Sequence, residues 1–279
     1  MYPPLREMPQ GVQRRWPRWL SGSLPLWGAS LPALLFFALP LVALVLRISP
    51  TALLSRITNQ AVSQAISLSI FTTLVTTALV IICGTPLAYL LARRRFPGRI
   101  AVDVLVDLVM VLPPAVAGIA LLVAFGRRGL LGQSLHAVGI DLAFTTLAVV
   151  LAQAFVAGPF YLRTAITALG HVQHEVEEAA AIDGATTWQI FWRITLPLTL
   201  PSLFAGAIMT WARALGEFGA TIIFAGNFPG KTQTVPLAIY LGFELDLQTA
   251  LVLAGVLLAV AFSVLLVVRL ILRRQIIAS

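Results

Sequence analysis

The side chains in this chain that could make or break bonds are few, and their spacing assembles no catalytic set. Cys83 is the single cysteine and sits inside an apolar run, so it forms no intrachain disulfide and says nothing of redox compartment. His171 and His174 fall three apart on one expected helix face, but two histidines are a weak metal signal and a solvated role is the simpler one. No Ser, His and Asp follow in a useful order, and no acidic loop has metal-ligand spacing. The run Ala225-Gly226-Asn227-Phe228-Pro229-Gly230-Lys231-Thr232 has the outline of a phosphate-cradling glycine loop, with alanine where the first glycine belongs. Such a loop works by following a strand and opening a helix, so that backbone amides converge on phosphate. This run follows an apolar stretch, contains Pro229 and leads to Thr234-Val235-Pro236, so no nucleotide is expected there.

A second group of residues could do mechanical rather than covalent work. Glu178-Ala179-Ala180 is followed after three residues by Gly184, after nine more by Ile194, and then by Leu196-Pro197. Glu175, Glu177 and Glu178 put negative charge on the first turn of a short helix, where the macrodipole favours it. Ala179, Ala180 and Ala181 give high helix propensity and a slim face able to enter a partner's groove. Gly184 can adopt the left-handed conformation that stops a helix. Thr186 or Thr187 can cap a second helix, whose Trp188, Phe191, Trp192 and Ile194 suit a membrane interface. Pro197 marks entry into the next apolar run. From composition alone, an amphipathic connecting helix without a partner is the default reading.

The elements that hold these residues are membrane spans. Of 279 residues, 59% are hydrophobic and only 11% are charged, against roughly 25% charged in ordinary soluble domains. Six apolar stretches are long enough to cross a bilayer, at residues 26–46, 66–91, 104–125, 142–162, 200–223 and 250–271. The first is too long for a signal-peptide core and lacks a small-residue cleavage site, so it is read as retained. The net charge of +8 is almost all arginine, set in short clusters between apolar runs, which is a topology signal rather than a nucleic-acid patch. With the N-terminus inside, Arg6, Arg14, Arg15, Arg18, Arg93, Arg94, Arg95, Arg99, Arg193, Arg269, Arg273 and Arg274 are cytoplasmic. Arg47, Arg56, Arg127, Arg128 and Lys231 are outside. Twelve against five satisfies the positive-inside rule and places both termini and the Glu178 loop in the cytoplasm.

Several spans contain helix breakers: Pro86, Pro113-Pro114 with Gly118, and Gly158-Pro159. These either kink helices around a pathway or serve packing. Arg213 and Glu217 are expected near mid-depth of the fifth span, four apart on one face. Ionisable groups there are functional candidates, and Arg213 would suit an anion, although Glu217 would largely cancel the attraction. A structural pair is the competing reading. Asp103 and Asp107 are expected at the membrane interface. Arg127 and Arg128 either steer an anion at the outer mouth or are solvated loop charges.

The Glu178–Pro197 pattern matches, at every fixed position, the EAA loop of permeases of ATP-binding-cassette (ABC) importers. Further segments resemble the sulfate/molybdate group of that family. They are Phe96-Pro97-Gly98-Arg99, Val111 to Gly118, Gly126-Arg127-Arg128-Gly129, Ala214-Leu215-Gly216-Glu217-Phe218-Gly219-Ala220, and Asn227 to Thr232. The Leu215–Ala220 run is shared with sulfate permeases, whereas the Pro-Pro pair and the Gly126–Gly129 segment favour the molybdate (or tungstate) side. The resemblance covers residues 61 to 271. The N-terminal head, residues 1–19, and the first span lie beyond shorter family members.

The resemblance implies an all-α, polytopic, type I importer permease fold in the bacterial or archaeal inner membrane. It divides the chain into a head with first span and outer connector (1–60), a permease core (61–271) with the coupling loop at 168–198, and a cytoplasmic tail (272–279). It implies a non-catalytic subunit without a cofactor of its own. Partners would be a second copy of the permease, two ATP-hydrolysing subunits on the cytoplasmic side, an extracytoplasmic oxyanion-binding protein, and lipid, with no nucleic acid. Glu178, Ala179, Ala180, Gly184, Ile194, Leu196 and Pro197 would couple to the ATPase. Arg213, Glu217, Pro113 and Pro114 are pathway candidates. Two other classes stand beside this one: an importer permease for sulfate or another solute, and a channel or secondary transporter. The last has no reason to carry an EAA loop, and the inverted repeats frequent in that class are not visible.

Overall fold

A computed structural model of the chain describes residues 23–278, with side chains described over residues 28–270. The N-terminal head with Arg6, Arg14, Arg15 and Arg18, the side chains of Arg273 and Arg274, and Ser279 lie outside the described residues. All described secondary structure is helical. The elements are α1 (Ser23–Arg47), α2 (Pro50–Ile57), α3 (Gln60–Arg93), α4 (Arg99–Val111), α5 (Pro114–Phe125), α6 (Gly132–Ala137), α7 (Thr146–Gly170), α8 (His174–Ile182), α9 (Thr187–Ile190), a π-helical turn (Phe191–Thr195), α10 (Leu196–Leu215), α11 (Gly219–Phe224), α12 (Val235–Leu245) and α13 (Leu247–Ala278).

The chain falls into two units, residues 1–47 and 48–279. In the first, α1 is a single apolar helix long enough to cross a membrane. The second contains the rest.

Five helical stretches are long and apolar enough to span: Gly28–Arg47, Gln60–Arg93, Thr146–Gly170, Thr187–Leu215 and Leu247–Leu270. The third expected span, 104–125, is not one helix. It is α4 and α5, bent 120° apart at Leu112-Pro113. Pro113 and Pro114 cannot donate backbone hydrogen bonds, so the ladder breaks there and Pro114 opens the next helix. The expected fifth span, 200–223, is also displaced. Its helix begins at Thr187 and ends at Leu215, and Gly216–Phe218 separate it from α11. By contrast, α3 and α7 run unbroken through Pro86 and Pro159. Gly158 lies under Val80 of α3, which is a packing role.

The direction of each pass follows from which residues meet. Thr76 hydrogen-bonds Gln153 at 3.0 Å, Thr85 meets the Tyr161 hydroxyl at 2.6 Å, and Arg93 reaches the Val172 carbonyl at 3.0 Å. Residue numbers rise together, so α3 and α7 are parallel. A return pass must lie between them, and α4–α5 supplies it despite the bend. Asp103 meets Arg163, whereas Ala117 and Leu121 pack with Ala148 and Ala152. The return from α7 is α10–α11: Thr210 bonds the Ala157 carbonyl, and Phe224 packs on Ala148, Val149 and Ala152. Then α12 turns outward beside Val62 and Ala65 of α3, and α13 starts back inward through Leu253. At 32 residues α13 is roughly 48 Å long. The Arg93–Arg99 segment, α8 and α9 thus share one end of this unit. Arg56, Arg127 and Lys231 share the other.

The core is rich in small residues. Ala117, Ala148, Ala152, Ala157, Ala165, Ala214 and Ala220 are all at most 1% exposed. Between helices in lipid there is no solvent to expel, so association depends on close van der Waals approach, and small side chains permit it. Serine and threonine supply internal polar ties on the same surfaces: Ser69, Thr72, Thr73, Thr76, Thr199 and Thr210 are at most 2% exposed.

Candidate functional site

Two regions collect the residues singled out in the sequence. The first is the loop from α8 to α10. Ala179 and Ala180 lie in α8, whose first turn carries Glu175 and Glu177. Gly184 has φ +89°, in the left-handed region that costs other residues about 1 kcal/mol or more. The Ala185 amide returns to the Ala180 carbonyl and the Gly184 amide to that of Ala181, each at 3.0 Å, so two of the orphaned carbonyls of α8 are satisfied. Thr186 then caps α9 in a reciprocal capping box. Its Oγ1 accepts from the Gln189 amide, and Gln189 Oε1 accepts from the Thr186 amide. Two helix ends closed this way, by Gly184 and by Thr186 two residues on, fix the angle between α8 and α9.

Ile194 lies in the π turn, and Leu196-Pro197 opens α10. Pro197 has no N–H, and its ring would press on the carbonyl of residue 193 in a regular α-helix. The wider turn over Phe191–Thr195, in which the Leu196 amide bonds the Phe191 carbonyl, accommodates it. An aromatic cluster surrounds the turn: Phe191 meets Tyr89 of α3 at 5.3 Å, and Trp188 meets Trp192 at 5.5 Å.

The acidic residues of α8 are not equivalent. The Glu178 side chain is 63% exposed, with its carboxylate 3.6 Å from His174, and Ile182 one turn on is 86% exposed. Glu177 is only 12% exposed. Its Oε1 accepts from Thr195 Oγ1 at 2.6 Å and from Arg93 Nη2 at 3.2 Å. Sequence reasoning grouped the two glutamates and missed this. The available signal was their adjacency: neighbours on a helix point about 100° apart, so one faces inward if the other faces out. His171 and His174 do not share a helix, since His171 caps α7 and His174 begins α8.

The second region is where the two broken passes cross. Arg213 is in the last turn of α10 and Glu217 lies beyond its end, so they do not share the middle of a helix as expected. They still meet. Arg213 Nη1 donates to Glu217 Oε2 at 2.9 Å, and Glu217 Oε1 accepts from the Ala220 amide at 2.8 Å. Glu217 is 1% exposed and bridges the break between α10 and α11. The other break meets it. A Cβ on Gly219 would lie 2.9 Å from Cβ of Pro114, and one on Gly118 would lie 2.9 Å from the Ala220 backbone. Arg213, Glu217, Pro113 and Pro114 therefore belong to one crossing, built on two glycines that let the chains touch.

Elsewhere, Arg163 holds both Asp103 and Asp107 at 2.7 Å, tying α4 to α7. The signal for this was present: two aspartates four apart, and a lone arginine in another span that needs compensation. Arg163 also borders a cavity of about 840 Å³ with Thr164, Thr167, His171, Thr199 and Ser202. Its charge is already engaged there by two carboxylates. Arg127 is paired with Asp141 at 3.0 Å, and that hydrogen bond holds the Asp141 carboxyl below its usual range. Arg128 is exposed. The Ala225–Thr232 run follows α11 and closes as a turn in which Thr232 Oγ1 accepts from the Phe228 amide.

This bundle, with its α8–α9 loop between two passes, has counterparts among known proteins. Residues 84–276, well over half the chain, match the family model for the inner membrane component of binding-protein-dependent transport systems. The chain belongs to that family. Within the family, the molybdenum transport system permease protein ModB of Mycobacterium tuberculosis is 44% identical over 248 residues, covering 87% of this chain and 93% of that one. ModB of Escherichia coli is 46% identical over 158 residues, covering 56% and 69%. The sulfate transport system permease protein CysT of Escherichia coli is 37% identical over 235 residues, covering 83% and 85%. A bacterial ABC transporter structure, described as involved in import of the acidic polysaccharide alginate, superposes with a TM-score of 0.72. It covers 94% of this chain and 99% of that one at 18% identity, which speaks to the fold. The all-α, multi-pass permease fold is thus that of a type I ABC importer, and the chain is a non-catalytic permease subunit of such an importer.

Proposed function

We propose that this permease translocates molybdate (or tungstate) across the inner membrane as one of two copies lining a common pathway. Two ATP-hydrolysing subunits bind at the arginine-rich end, and an extracytoplasmic protein delivers the oxyanion at the other. The observation that carries the substrate class is the similarity to molybdenum permeases along nearly the whole chain, 44% over 87% of its length. The arginine-rich end, with Arg93, Arg94, Arg95, Arg99 and Arg193, is the cytoplasmic one by the positive-inside rule. Both termini are cytoplasmic, and residues 61–271 form the permease core.

Glu178, Ala179, Ala180, Gly184, Ile194, Leu196 and Pro197 form the coupling element. The exposed Glu178–Ile182 face of α8 enters the ATPase, and the fixed α8–α9 angle and the π turn pass its displacement to α10. The crossing of the two breaks, with Arg213, Glu217, Pro113 and Pro114, is the part of the pathway that changes shape. Non-helical backbone at membrane depth is tolerated where it is buried in protein or lines a cavity. Arg213 is half satisfied by Glu217, so it attracts a dianion mildly and holds none. Selection between molybdate and sulfate then belongs to the binding protein, whose fixed donors can discriminate by spacing.

The test is ATP-dependent uptake of labelled molybdate into vesicles holding the permease, its ATPase and its binding protein. Uptake at low concentration, weakly opposed by a large excess of sulfate, is expected. Accumulation of sulfate but not molybdate would move the chain to the sulfate side, a reading that the 37% identity to a sulfate permease keeps in view.

A further inference from the structure

We infer that Glu177 is the positioning residue through which the docking helix moves α3 and α10 together, with Arg93 and Thr195 as its two handles. The inference rests on the coupling role proposed above for α8. Glu177 and Glu178 are neighbours, but their surroundings give them opposite duties. Glu178 offers an exposed carboxylate to a partner. Glu177 turns Oε1 into the subunit while Oε2 lies 3.7 Å from His174 Nδ1, and the Glu177 and Arg93 side chains are nearly buried, at 12% and 14% exposed.

Each donor to Glu177 stands at the end of a different pass. Arg93 is the last residue of α3, 34 residues long. Its Nη2 also donates to the Val172 carbonyl, at the turn from α7 into α8. Thr195 is the last residue of the π turn and the N-cap of α10. One carboxylate oxygen therefore joins α8 to the end of α3 and to the start of α10.

The tie to α3 has no covalent substitute, because Arg93 and Glu177 are 84 residues apart in sequence. Backbone alone would let α8 ride with its partner while α3 stayed behind. A desolvated carboxylate resists that separation, since losing a donor leaves a buried charge unpaired. The same argument makes Arg93 dependent on Glu177, so the two should behave as a unit.

The full permease, assembled with its ATPase and binding protein in vesicles, tests this with Glu177→Gln, Arg93→Gln, the double variant, and Ile182→Asp on the exposed face. Three quantities are read: ATPase retained on purification, ATP hydrolysed, and labelled molybdate moved per ATP. Glu177→Gln should keep its ATPase and hydrolyse ATP within about twofold of the parent, while molybdate per ATP falls roughly tenfold, the scale of one charged hydrogen bond. The double variant should be no worse than the poorer single one, as expected of coupled residues. A Glu177→Gln permease that moves molybdate per ATP like the parent overturns the inference, as does a double variant whose loss is the product of the two single losses. Ile182→Asp should lose the ATPase on purification. If it keeps the ATPase and transports normally, α8 is not the docking element, and the coupling role falls together with this inference. Should Glu177→Gln fail to accumulate, Thr195→Val removes only the 2.6 Å bond. A fall in molybdate per ATP supports the inference in that variant, and an unchanged ratio overturns it.

Discussion

At the scale of single residues, environment separates side chains that look alike in sequence. Gly184 and Glu178 are both fixed positions of the EAA pattern, yet the physics at each differs. A Cβ at Gly184 meets nothing within 4 Å, so the cost of a side chain there is conformational, from φ +89°, and not a clash. Gly184→Asp should therefore insert and accumulate normally, but turn α8 away from its docking angle, weaken ATPase association and uncouple hydrolysis from transport. Gly184→Asn should be milder, because asparagine visits the left-handed region more readily. Uptake per ATP and ATPase co-purification check both, and normal coupling in a well-expressed Gly184→Asp variant would count against a fixed docking angle. A second expectation concerns Arg163. Arg163→Ala leaves Asp103 and Asp107 near one another without a cation in a segment expected at the membrane interface, so accumulation of the chain should fall about twofold or more. Asp103→Asn with Asp107→Asn in the same chain should restore much of it, measured as detergent-stable protein.

At the scale of elements, the distinguishing feature is that two of the passes are discontinuous and meet at their breaks. Gly118 and Gly219 make the meeting possible. Gly118→Val would put a branched side chain where even Cβ lies 2.9 Å from the Ala220 backbone and from Ile223. The α5–α11 crossing must open, and transport should be lost while the helix content of the purified protein is unchanged. Wild-type transport by this variant would show that the crossing is not under constraint. Here the sequence was only partly legible. Composition and apolar run length located the membrane-crossing stretches, five long helices and one bent pair, because lipid forces every backbone polar group into a helix. Run length could not show that 104–125 turns through 120° at Leu112-Pro113, since a broken helix is as apolar as a straight one. The Leu215–Ala220 run was read as helical for the same reason. The α8–α9 turn was legible in detail, down to Gly184 and Thr186, because caps and left-handed glycines are local decisions of a few residues. The inward face of α8 was not, because which of two adjacent glutamates is buried depends on α3, more than eighty residues away.

At the scale of the whole molecule, the parallel run of α3 and α7 with broken passes between and after them puts α8, α9 and the π turn, proposed to couple to the ATPase, at one end. Cysteine scanning can check which side that end faces. With the exposed native thiol removed by Cys83→Ser, external reagent should label Gln133→Cys and Lys231→Cys in intact cells and spare Gln173→Cys. Labelling at 173 from outside would reverse the orientation and remove the ATPase from α8.

The pairing of Arg163 with Asp103 and Asp107 also bears on how the chain is made. The partners lie 60 residues apart in the case of Asp103, and the aspartates are synthesised first. When α4 leaves the ribosome it carries two carboxylates with no cation available, and each resists entry into lipid by up to about 2.5–3.5 kcal/mol at a helix centre. It is also followed at once by the Pro113-Pro114 break. The segment 99–125 should therefore wait beside the insertion machinery until α7 arrives, and enter the bilayer as its companion. Chains truncated before Arg163 should leave α4 accessible to protease or to a thiol reagent at a cysteine placed in it, whereas chains extending through Gly170 should protect it. Stable insertion of the shorter chains would mean that α4 needs no help from the later helix. Assembly of this permease is then ordered by charge, with a later span completing an earlier one.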